Sequence, residues 1–194
     1  MSRTLPAFQN FITALQAVWT EEADTEARMR LAKPLLEAMV RDRELREHSR
    51  SWPDTVGQNL LLYEDQNHGF VVNAVVRPVG YKGGVHDHAH AWVLYGVVDG
   101  NESLERYERL DDGKTPGRAV VRMTHATEGK PGTVDIVPPF DIHAEQGGGG
   151  RSVAMIVRSQ RLVGKVLQNG YNPAAQTVVQ RSGPVQVPFE LTVR

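Results

Sequence analysis

The chain has 194 residues, of which 40% are hydrophobic and 23% are charged, and its formal net charge is −1 at pH 7. This length fits one domain, or one domain with an added helical segment, and the near-neutral charge excludes the basic surface typical of nucleic-acid binders. Cysteine is absent, which excludes disulfides, Cys-ligated zinc and a cysteine nucleophile. Because no stretch has the length and apolarity of a membrane span, and the start lacks a secretory signal pattern, we expect a cytoplasmic protein with no nucleic-acid or membrane partner.

Residues 1–50 have the pattern of helices. Apolar residues in the stretch 8–19 recur at spacings of three and four, which is typical of one buried helix face. A second helical pattern covers 31–40, and Pro34 inside it predicts a kink or a break near residues 30–33. We expect a helical segment that packs on the main part of the domain.

Residues 51–194 contain short β-rich runs separated by turn residues. The runs are NLLLY, GFVVNAVVRPV, AWVLYGVV, SLERYERL, RAVVRMTHAT, TVDIVPP and SVAMIVRS. Many short strands at near-regular spacing predict an all-β sandwich or barrel. Acidic and basic residues alternate in ESLERYE, which indicates a solvent-exposed strand face. The closing stretch 161–194 could add a strand pair, form a lid over the barrel or make an oligomer contact.

Three histidines stand at alternate positions of the segment VHDHAHAWV, namely His86, His88 and His90. In a strand, side chains at alternate positions share one face. Buried imidazoles are hard to satisfy by hydrogen bonds alone, whereas a divalent metal uses their lone pairs directly. The pattern by itself therefore leaves two possibilities, a metal site or an exposed group of histidines.

Two separate motifs favour the metal site, because together they resemble the cupin superfamily. Their spacing is met in order by Gly80, His86, His88 and Gly100, and then by Gly132, Pro138 and His143. Val93 stands where most cupins have a glutamate ligand, and Phe140 replaces the inner glycine of the second motif. The resemblance implies an all-β cupin double-stranded β-helix (jelly-roll) barrel with N-terminal α-helices, whose metal is held by His86, His88 and His143.

The string VHDH and the three-histidine set also resemble the cysteine dioxygenase family of thiol dioxygenases. The segments FVVNAVVRPVGYKGGVHDH and GVVDGNESLERY resemble the first metal strand and the next hairpin of that family. The resemblance implies a mononuclear non-haem iron(II) enzyme in which the substrate binds iron through sulfur, O₂ binds beside it, and both oxygen atoms end on sulfur as a sulfinate. Zinc or nickel remains an alternative metal. A homodimer is expected from the resemblance alone.

Two departures from that family bear on the substrate. The strand RSVAMIVRS lacks the Ser–x–His–x–Tyr triad of the family and has Arg158 near the tyrosine position, and QNLLLY lacks the arginine that holds the substrate carboxylate in cysteine-specific members. We therefore expect a small thiol carboxylate other than cysteine. Arg77 and Arg158 are candidates for binding its carboxylate, because guanidinium pairs with carboxylate through two hydrogen bonds. A surface position is the alternative for each.

Four further side chains are candidates near the metal. His90 is predicted to act as a catalytic base, with a core position or a place in the metal shell as alternatives. Tyr95 is a second catalytic candidate, which would donate to bound dioxygen unless it only packs in the core. Trp92 is predicted to line the substrate pocket or the core. Glu145 could supply the missing carboxylate, but we expect it to begin the turn into the glycine run.

Two other functions remain open at the level of sequence. A three-histidine cupin dioxygenase could cleave a carbon–carbon bond in a β-diketone, because an enolate chelates a metal as a thiol acid does. A cupin could also bind a metal or a small ligand without catalysis. A cationic residue in the pocket favours the acid substrate, whereas an entirely apolar lining favours the diketone.

Overall fold

Three helices lead into the barrel in the computed structural model, which describes residues 3–193. They are α1 (Pro6–Glu21), α2 (Thr25–Val40) and α3 (Arg43–Ser49). The side chains of Asp24 and Asp42 cap the starts of α2 and α3 by accepting hydrogen bonds from backbone amides of the first turn. Within residues 3–193 no helix combines the length and the apolarity that crossing a membrane requires.

Helix α2 runs without interruption through Pro34, so the break predicted near residues 30–33 is wrong. Proline removes the hydrogen bond to the carbonyl four residues earlier, which belongs to Arg30. Both Pro34 and Arg30 are exposed, so water can replace the missing amide. On the opposite face Met29 and Leu36 are fully buried, and this packing holds the helix together.

Residues 3–193 contain fourteen strands, most of which belong to two six-stranded sheets. These strands are β1 (Arg3–Thr4), β2 (Gln58–Glu64), β3 (Val71–Arg77), β4 (Val85–His86), β5 (Val93–Asp99), β6 (Glu102–Arg109), β7 (Val121–Gly129), β8 (Val134–Val137), β9 (Ile142–Gly147), β10 (Ser152–Arg158), β11 (Leu167–Asn172), β12 (Thr177–Ser182), β13 (Val185–Pro188) and β14 (Thr192–Val193). The first sheet has the order β13-β2-β3-β10-β5-β8, the second has the order β12-β11-β4-β9-β6-β7, and β1 pairs with β14 apart from both.

The eight strands from β3 to β10 form a jelly roll. Their order is β3-β10-β5-β8 in one sheet and β4-β9-β6-β7 in the other, so the chain passes repeatedly between two facing antiparallel sheets. This is a double-stranded β-helix, the fold that the resemblance to cupins implies. With three helices in front of it, the protein is mixed in class and mostly β.

The first sheet is apolar on both faces because it lies between the helices and the barrel interior. Along β5, Leu94 and Val98 belong to the core shared with the helices. Val93, Tyr95 and Val97 belong to a separate core inside the barrel. This alternation is what the two-residue period of a strand dictates when both faces are covered. The helices therefore support the sheet that carries one wall of the cavity.

The closing stretch adds strands to both sheets. β11 pairs with β4, and β12 forms the edge of the second sheet. β13 then pairs in parallel with β2 at the edge of the first sheet. The link between β12 and β13 crosses from one sheet to the other, and residues 181–185 line the cavity described below. Of the roles predicted for this stretch, the added strands are the one observed.

Gly96 sets the distance between α2 and the first sheet. A Cβ atom at this position would lie 2.9 Å from Val40 Cγ1 and 3.2 Å from Leu36 Cγ. We expect Gly96→Val to lower the free energy of unfolding by about 2 kcal/mol, because overpacking forces the helix away from the sheet. Gly149→Val is the matched control, since no atom lies within 4 Å of the Cβ position at Gly149. Urea denaturation of both variants measures the difference, and equal stabilities would contradict this account of helix packing.

Candidate metal centre

Pairing between β4 and β9 brings the two cupin motifs together. His86 lies directly opposite His143 in this antiparallel pair. His88 follows two residues after His86, beyond the end of β4. One nitrogen atom from each of these three imidazoles lies within 4.8 Å of the others. The cluster predicted from the motifs is therefore present.

Hydrogen bonds to the backbone orient two of the imidazoles. His86 Nδ1 lies 2.9 Å from the Gly84 carbonyl oxygen, and His143 Nδ1 lies 2.8 Å from that of Asp141. A carbonyl only accepts, so each Nδ1 carries the proton and each Nε2 keeps its lone pair for the cluster. His86 Nε2 lies 3.2 Å from His88 Nε2. This is the arrangement of ligating histidines.

The cluster contains buried polar atoms that the protein itself does not satisfy. Among residues 3–193, His143 Nε2 and His88 Nδ1 are buried and have no hydrogen-bond partner. Burial, with the nearby His86, lowers the pKa of His143 to about 4. Burial, with His143 and His86 nearby, holds the pKa of His88 well below its usual value. His88 and His143 are therefore neutral at neutral pH, which is the state that binds a divalent metal. The three side chains fit a metal ion.

Asp87 fixes the segment between the two histidines of the first motif. It is buried, and its carboxylate accepts hydrogen bonds from the Ala89 amide at 2.9 Å, from Asn169 Nδ2 at 2.9 Å and from the Tyr171 hydroxyl at 2.8 Å. These partners tie the segment to β11 and to its own turn. Neighbouring His86 and His88 therefore keep their directions without any contact between Asp87 and the cluster.

His90 lies outside the cluster, so the prediction that it shares a face with His86 and His88 is wrong. β4 ends at His86, and Ala89 adopts a left-handed backbone conformation with φ of 49°. The Phe140 amide donates to the Ala89 carbonyl at 2.6 Å and holds this turn in place. The turn points His90 to solvent, where its side chain is exposed. Alternation along a strand fails where the strand ends.

A cavity of about 410 Å³ opens beside the three histidines, between the two sheets. The side chains that matter for its chemistry are Arg77, His86, His88, Tyr95, Glu145 and Arg158. Trp92 does not line this cavity, because it is partly buried against the core on the helix side of the first sheet. The prediction that Trp92 lines the pocket is therefore wrong, whereas its alternative place in the core is correct.

Arg77 and Tyr95 belong to a buried network around Glu102. Arg77 Nη1 lies 3.0 Å from Glu102 Oε2 and also contacts the Tyr95 hydroxyl. Tyr95 donates to the same carboxylate at 2.6 Å, and Ser152 donates to its other oxygen at 2.7 Å. The Tyr95 proton is thus directed to Glu102, and the charge of Arg77 is neutralised inside the protein. Glu102 is only 2% exposed, so the exposed strand face predicted for ESLERYE is wrong at this residue.

Glu145 lies in the same buried region and faces the cluster. β9 continues to Gly147, so Glu145 lies within the strand rather than at the start of the turn that we expected. Its Oε1 lies 3.6 Å from His143 Nε2, and its Oε2 lies 3.5 Å from Arg77 Nη2. Burial alone would raise the pKa of this carboxyl, but His143 and Arg77 outweigh burial and hold the pKa below its usual range. An ionised carboxylate therefore stands beside the three imidazoles.

Arg158 differs from Arg77 because the groups in contact with its buried charge are neutral, and the carboxylate of Glu145 acts on it only from beyond 4.0 Å. It is 4% exposed. Its guanidinium donates to Asn73 Oδ1 and, with the Asn59 amide oxygen turned toward it, to Asn59 at 3.1 Å. Within residues 3–193 no carboxylate oxygen lies within 4.0 Å of it, and its Nε has no hydrogen-bond partner. Burial lowers the pKa of Arg158 to about 10, so the group is still cationic at neutral pH.

Three residues of the site escape the sequence interpretation. Glu102 could have been found, because it shares its strand face with the buried Leu104 two residues later. Asp87 had no signal beyond its place between two histidines. Arg181 lines the cavity from a strand far along the chain, and no local pattern points to it.

Comparisons with known proteins find only structures of low similarity, in both sequence identity and TM-score. No family model and no curated protein matches the chain. Among solved structures, the cupin domain of Schizosaccharomyces pombe Cnp3 is 13% identical, with a TM-score of 0.41 over 53% of this chain and 60% of that chain. An uncharacterized conserved protein with a double-stranded β-helix domain from Klebsiella pneumoniae is 15% identical, with a TM-score of 0.41 over 70% of this chain and 88% of that chain.

An oxalate oxidase in complex with the substrate analogue glycolate is 17% identical, with a TM-score of 0.38 over 47% of this chain and 42% of that chain. At TM-scores this low, the likenesses add nothing to the strand order, on which the architecture rests. The chemistry of the site is argued from its own residues.

Removal of one imidazole tests the metal centre. We expect wild-type protein to bind one zinc ion per chain and His143→Ala to lose at least about 100-fold in affinity, because a ligand is lost and two imidazoles remain. His90→Ala is the matched control, since His90 is exposed and lies outside the cluster. Calorimetric titration with zinc measures affinity, and thermal denaturation with and without zinc measures the linked stabilisation. Similar affinities for His143→Ala and the wild type would overturn the assignment.

Proposed function

We propose that the protein is a metal-dependent dioxygenase of the thiol dioxygenase type, with iron(II) held by His86, His88 and His143, and that it oxidises a small thiol carboxylate other than cysteine. One observation carries the substrate class. The buried cation of Arg158 lines the same cavity as His86 and His88, and no carboxylate oxygen lies within 4.0 Å of it among residues 3–193. A buried charge is costly unless it is paired, so an anionic substrate completes this site.

The proposed reaction balances without a further reductant. Both atoms of O₂ form bonds to sulfur, and a thiolate becomes a sulfinate. Sulfur loses four electrons and O₂ gains four. The thiol proton leaves to solvent. Iron, when bound, would supply the redox chemistry that lets O₂ react with a thiolate.

The residues of the chain position the substrate for this reaction. Arg158 would bind the carboxylate through its guanidinium, and the amides of Asn59 and Asn73 hold that guanidinium in place. Arg77 serves a different purpose, because Glu102 and Glu145 already neutralise it. We assign Arg77 and Tyr95 to orienting these two carboxylates. The cationic lining supports an acid over a β-diketone, and His90 has no part in the reaction.

Glu145 is proposed to be the carboxylate that the first cupin motif lacks at Val93. Its Oε1 lies 3.6 Å from His143 Nε2, close to the 3.2 Å between the ring nitrogens of His86 and His88. A carboxylate therefore stands beside one of the three imidazoles, although only the three histidines have ligand atoms that all lie within 4.8 Å of one another. Its negative charge would offset part of the charge of a divalent ion in a buried site.

Oxygen consumption tests the activity. We expect protein loaded with iron(II) to consume O₂ when 3-mercaptopropionate or mercaptosuccinate is added, and to show little uptake with cysteine or acetylacetone. A sulfinate product, detected by mass spectrometry, should carry two ¹⁸O atoms when the gas is ¹⁸O₂. Uptake with acetylacetone alone would favour carbon–carbon cleavage. No uptake with any of the four compounds would overturn the dioxygenase proposal and favour a cupin that binds without catalysis.

Replacement of the carboxylate tests the role of Glu145 apart from activity. We expect Glu145→Gln to weaken metal binding by about tenfold or more, because neutral amides are poor ligands for the ion. The visible absorption spectrum of the cobalt-loaded protein should also change, since a donor atom is lost. Glu128→Gln is the control, because Glu128 forms an exposed ion pair on β7. An unchanged affinity and an unchanged spectrum would mean that Glu145 only neutralises Arg77.

A further inference from the structure

Arg181 lies where the chain crosses the mouth of the cavity. It is near the end of β12, the edge strand of the second sheet, just before the crossing to β13 in the first sheet. In the register of β11 and β12 it stands directly opposite Gln168, which is buried and lines the cavity. Side chains of directly opposed residues lie on the same face of a sheet. Arg181 therefore extends along the face that opens into the cavity.

Two glycines leave room for the guanidinium of Arg181 beside the metal cluster. A Cβ atom at Gly170 would lie 2.9 Å from Arg181 Nε and 3.0 Å from Cζ. A Cβ atom at Gly84 would lie 3.6 Å from Arg181 Nη2. The carbonyl of Gly84 is the group that orients His86. The position of Arg181 is therefore shaped by the backbone of the same segments that hold a ligand.

The cavity thus has two cations that no carboxylate of the protein neutralises. In the described part of the chain, no carboxylate oxygen lies within 4.0 Å of Arg181 or of Arg158. Arg77 is the contrast, because it has two carboxylate partners in the same cavity. Arg158 is buried in the wall, whereas Arg181 is exposed at the mouth. The cavity therefore offers a separate cation to each of two anionic groups.

We propose that the substrate carries two anionic groups, one bound by Arg158 inside the cavity and a second bound by Arg181 at its mouth. This inference rests on the proposed function for the identity of the reacting group, and it deepens that function by naming a small dicarboxylate as the substrate class. Guanidinium suits the role, because it pairs with each carboxylate through two parallel hydrogen bonds. A cavity of about 410 Å³ readily admits a dicarboxylate of this size.

A pair of probes that differ by one carboxylate tests the inference. Mercaptosuccinate is 3-mercaptopropionate with a second carboxylate on the carbon that bears sulfur. Under nitrogen, with iron(II) bound and no turnover, calorimetric titration gives the affinity for each. We expect the wild type to bind mercaptosuccinate at least tenfold more tightly. Arg181→Gln should bring the two affinities within about twofold by weakening mercaptosuccinate binding alone.

Arg122→Gln is the matched control, because Arg122 is an exposed arginine on β7, the opposite edge strand of the same sheet. It should keep the wild-type preference, and Arg181→Lys should restore part of it. Equal affinities of the wild type for the two thiols, or an unchanged preference in Arg181→Gln, would overturn the inference.

The same comparison with succinate and propionate separates this inference from the proposed reaction, since neither compound has sulfur. If succinate is preferred and Arg181→Gln removes the preference, the dicarboxylate site stands even where every thiol fails to consume O₂. The opposite result is that 3-mercaptopropionate and mercaptosuccinate are oxidised at equal rates and that neither dicarboxylate binds more tightly than its monocarboxylate. The dioxygenase proposal would then hold, and the second anionic subsite would be refuted.

Discussion

The site depends on three imidazoles, two buried and one partly buried, whose ring nitrogens face one another. His143 Nε2 and His88 Nδ1 have no hydrogen-bond partner among residues 3–193, and burial keeps these rings neutral. An unsatisfied polar atom in a buried site is unfavourable, and a divalent ion would remove that cost at His143 Nε2 by using its lone pair. The Nδ1 bonds of His86 and His143 to backbone carbonyls serve the same end, because they direct Nε2 inward before any ion binds.

A metal ion bound by the three imidazoles would require compensating negative charge. The barrel has a chain of charged side chains that begins beside His143. Glu145 stands beside His143, Arg77 lies between Glu145 and Glu102, and Tyr95 completes the contact with Glu102. Positive and negative groups alternate from the cluster outward, so each buried charge has an opposite neighbour. Arg158 breaks this alternation. Arg158 lies in the cavity wall, where an anionic substrate would pair with its charge.

The proposed second anion subsite at Arg181 lies outside the strands of the jelly roll, whereas Arg158 lies on β10 within them. Strands β4 and β9 belong to the jelly roll, and the helices brace the opposite sheet through the close contact at Gly96. The mouth, by contrast, is formed by the link from β12 to β13, which lies outside the jelly roll. Arg181 belongs to this added segment.

The sequence by itself predicted the helical segment and most strands, because the periodicity of apolar residues is a local property of the chain. Its resemblance to cupins added the cluster of His86, His88 and His143, which the structure brings together. The tertiary structure alone decided the rest of the site. Ala89 adopts a left-handed backbone conformation that its residue type does not predict. The resulting turn leaves His90 exposed to solvent. Arg181 reaches the cavity only because β12 pairs with β11, which in turn pairs with β4. Contacts across strands depend on pairing partners and register, and these are set by the packing of the whole barrel.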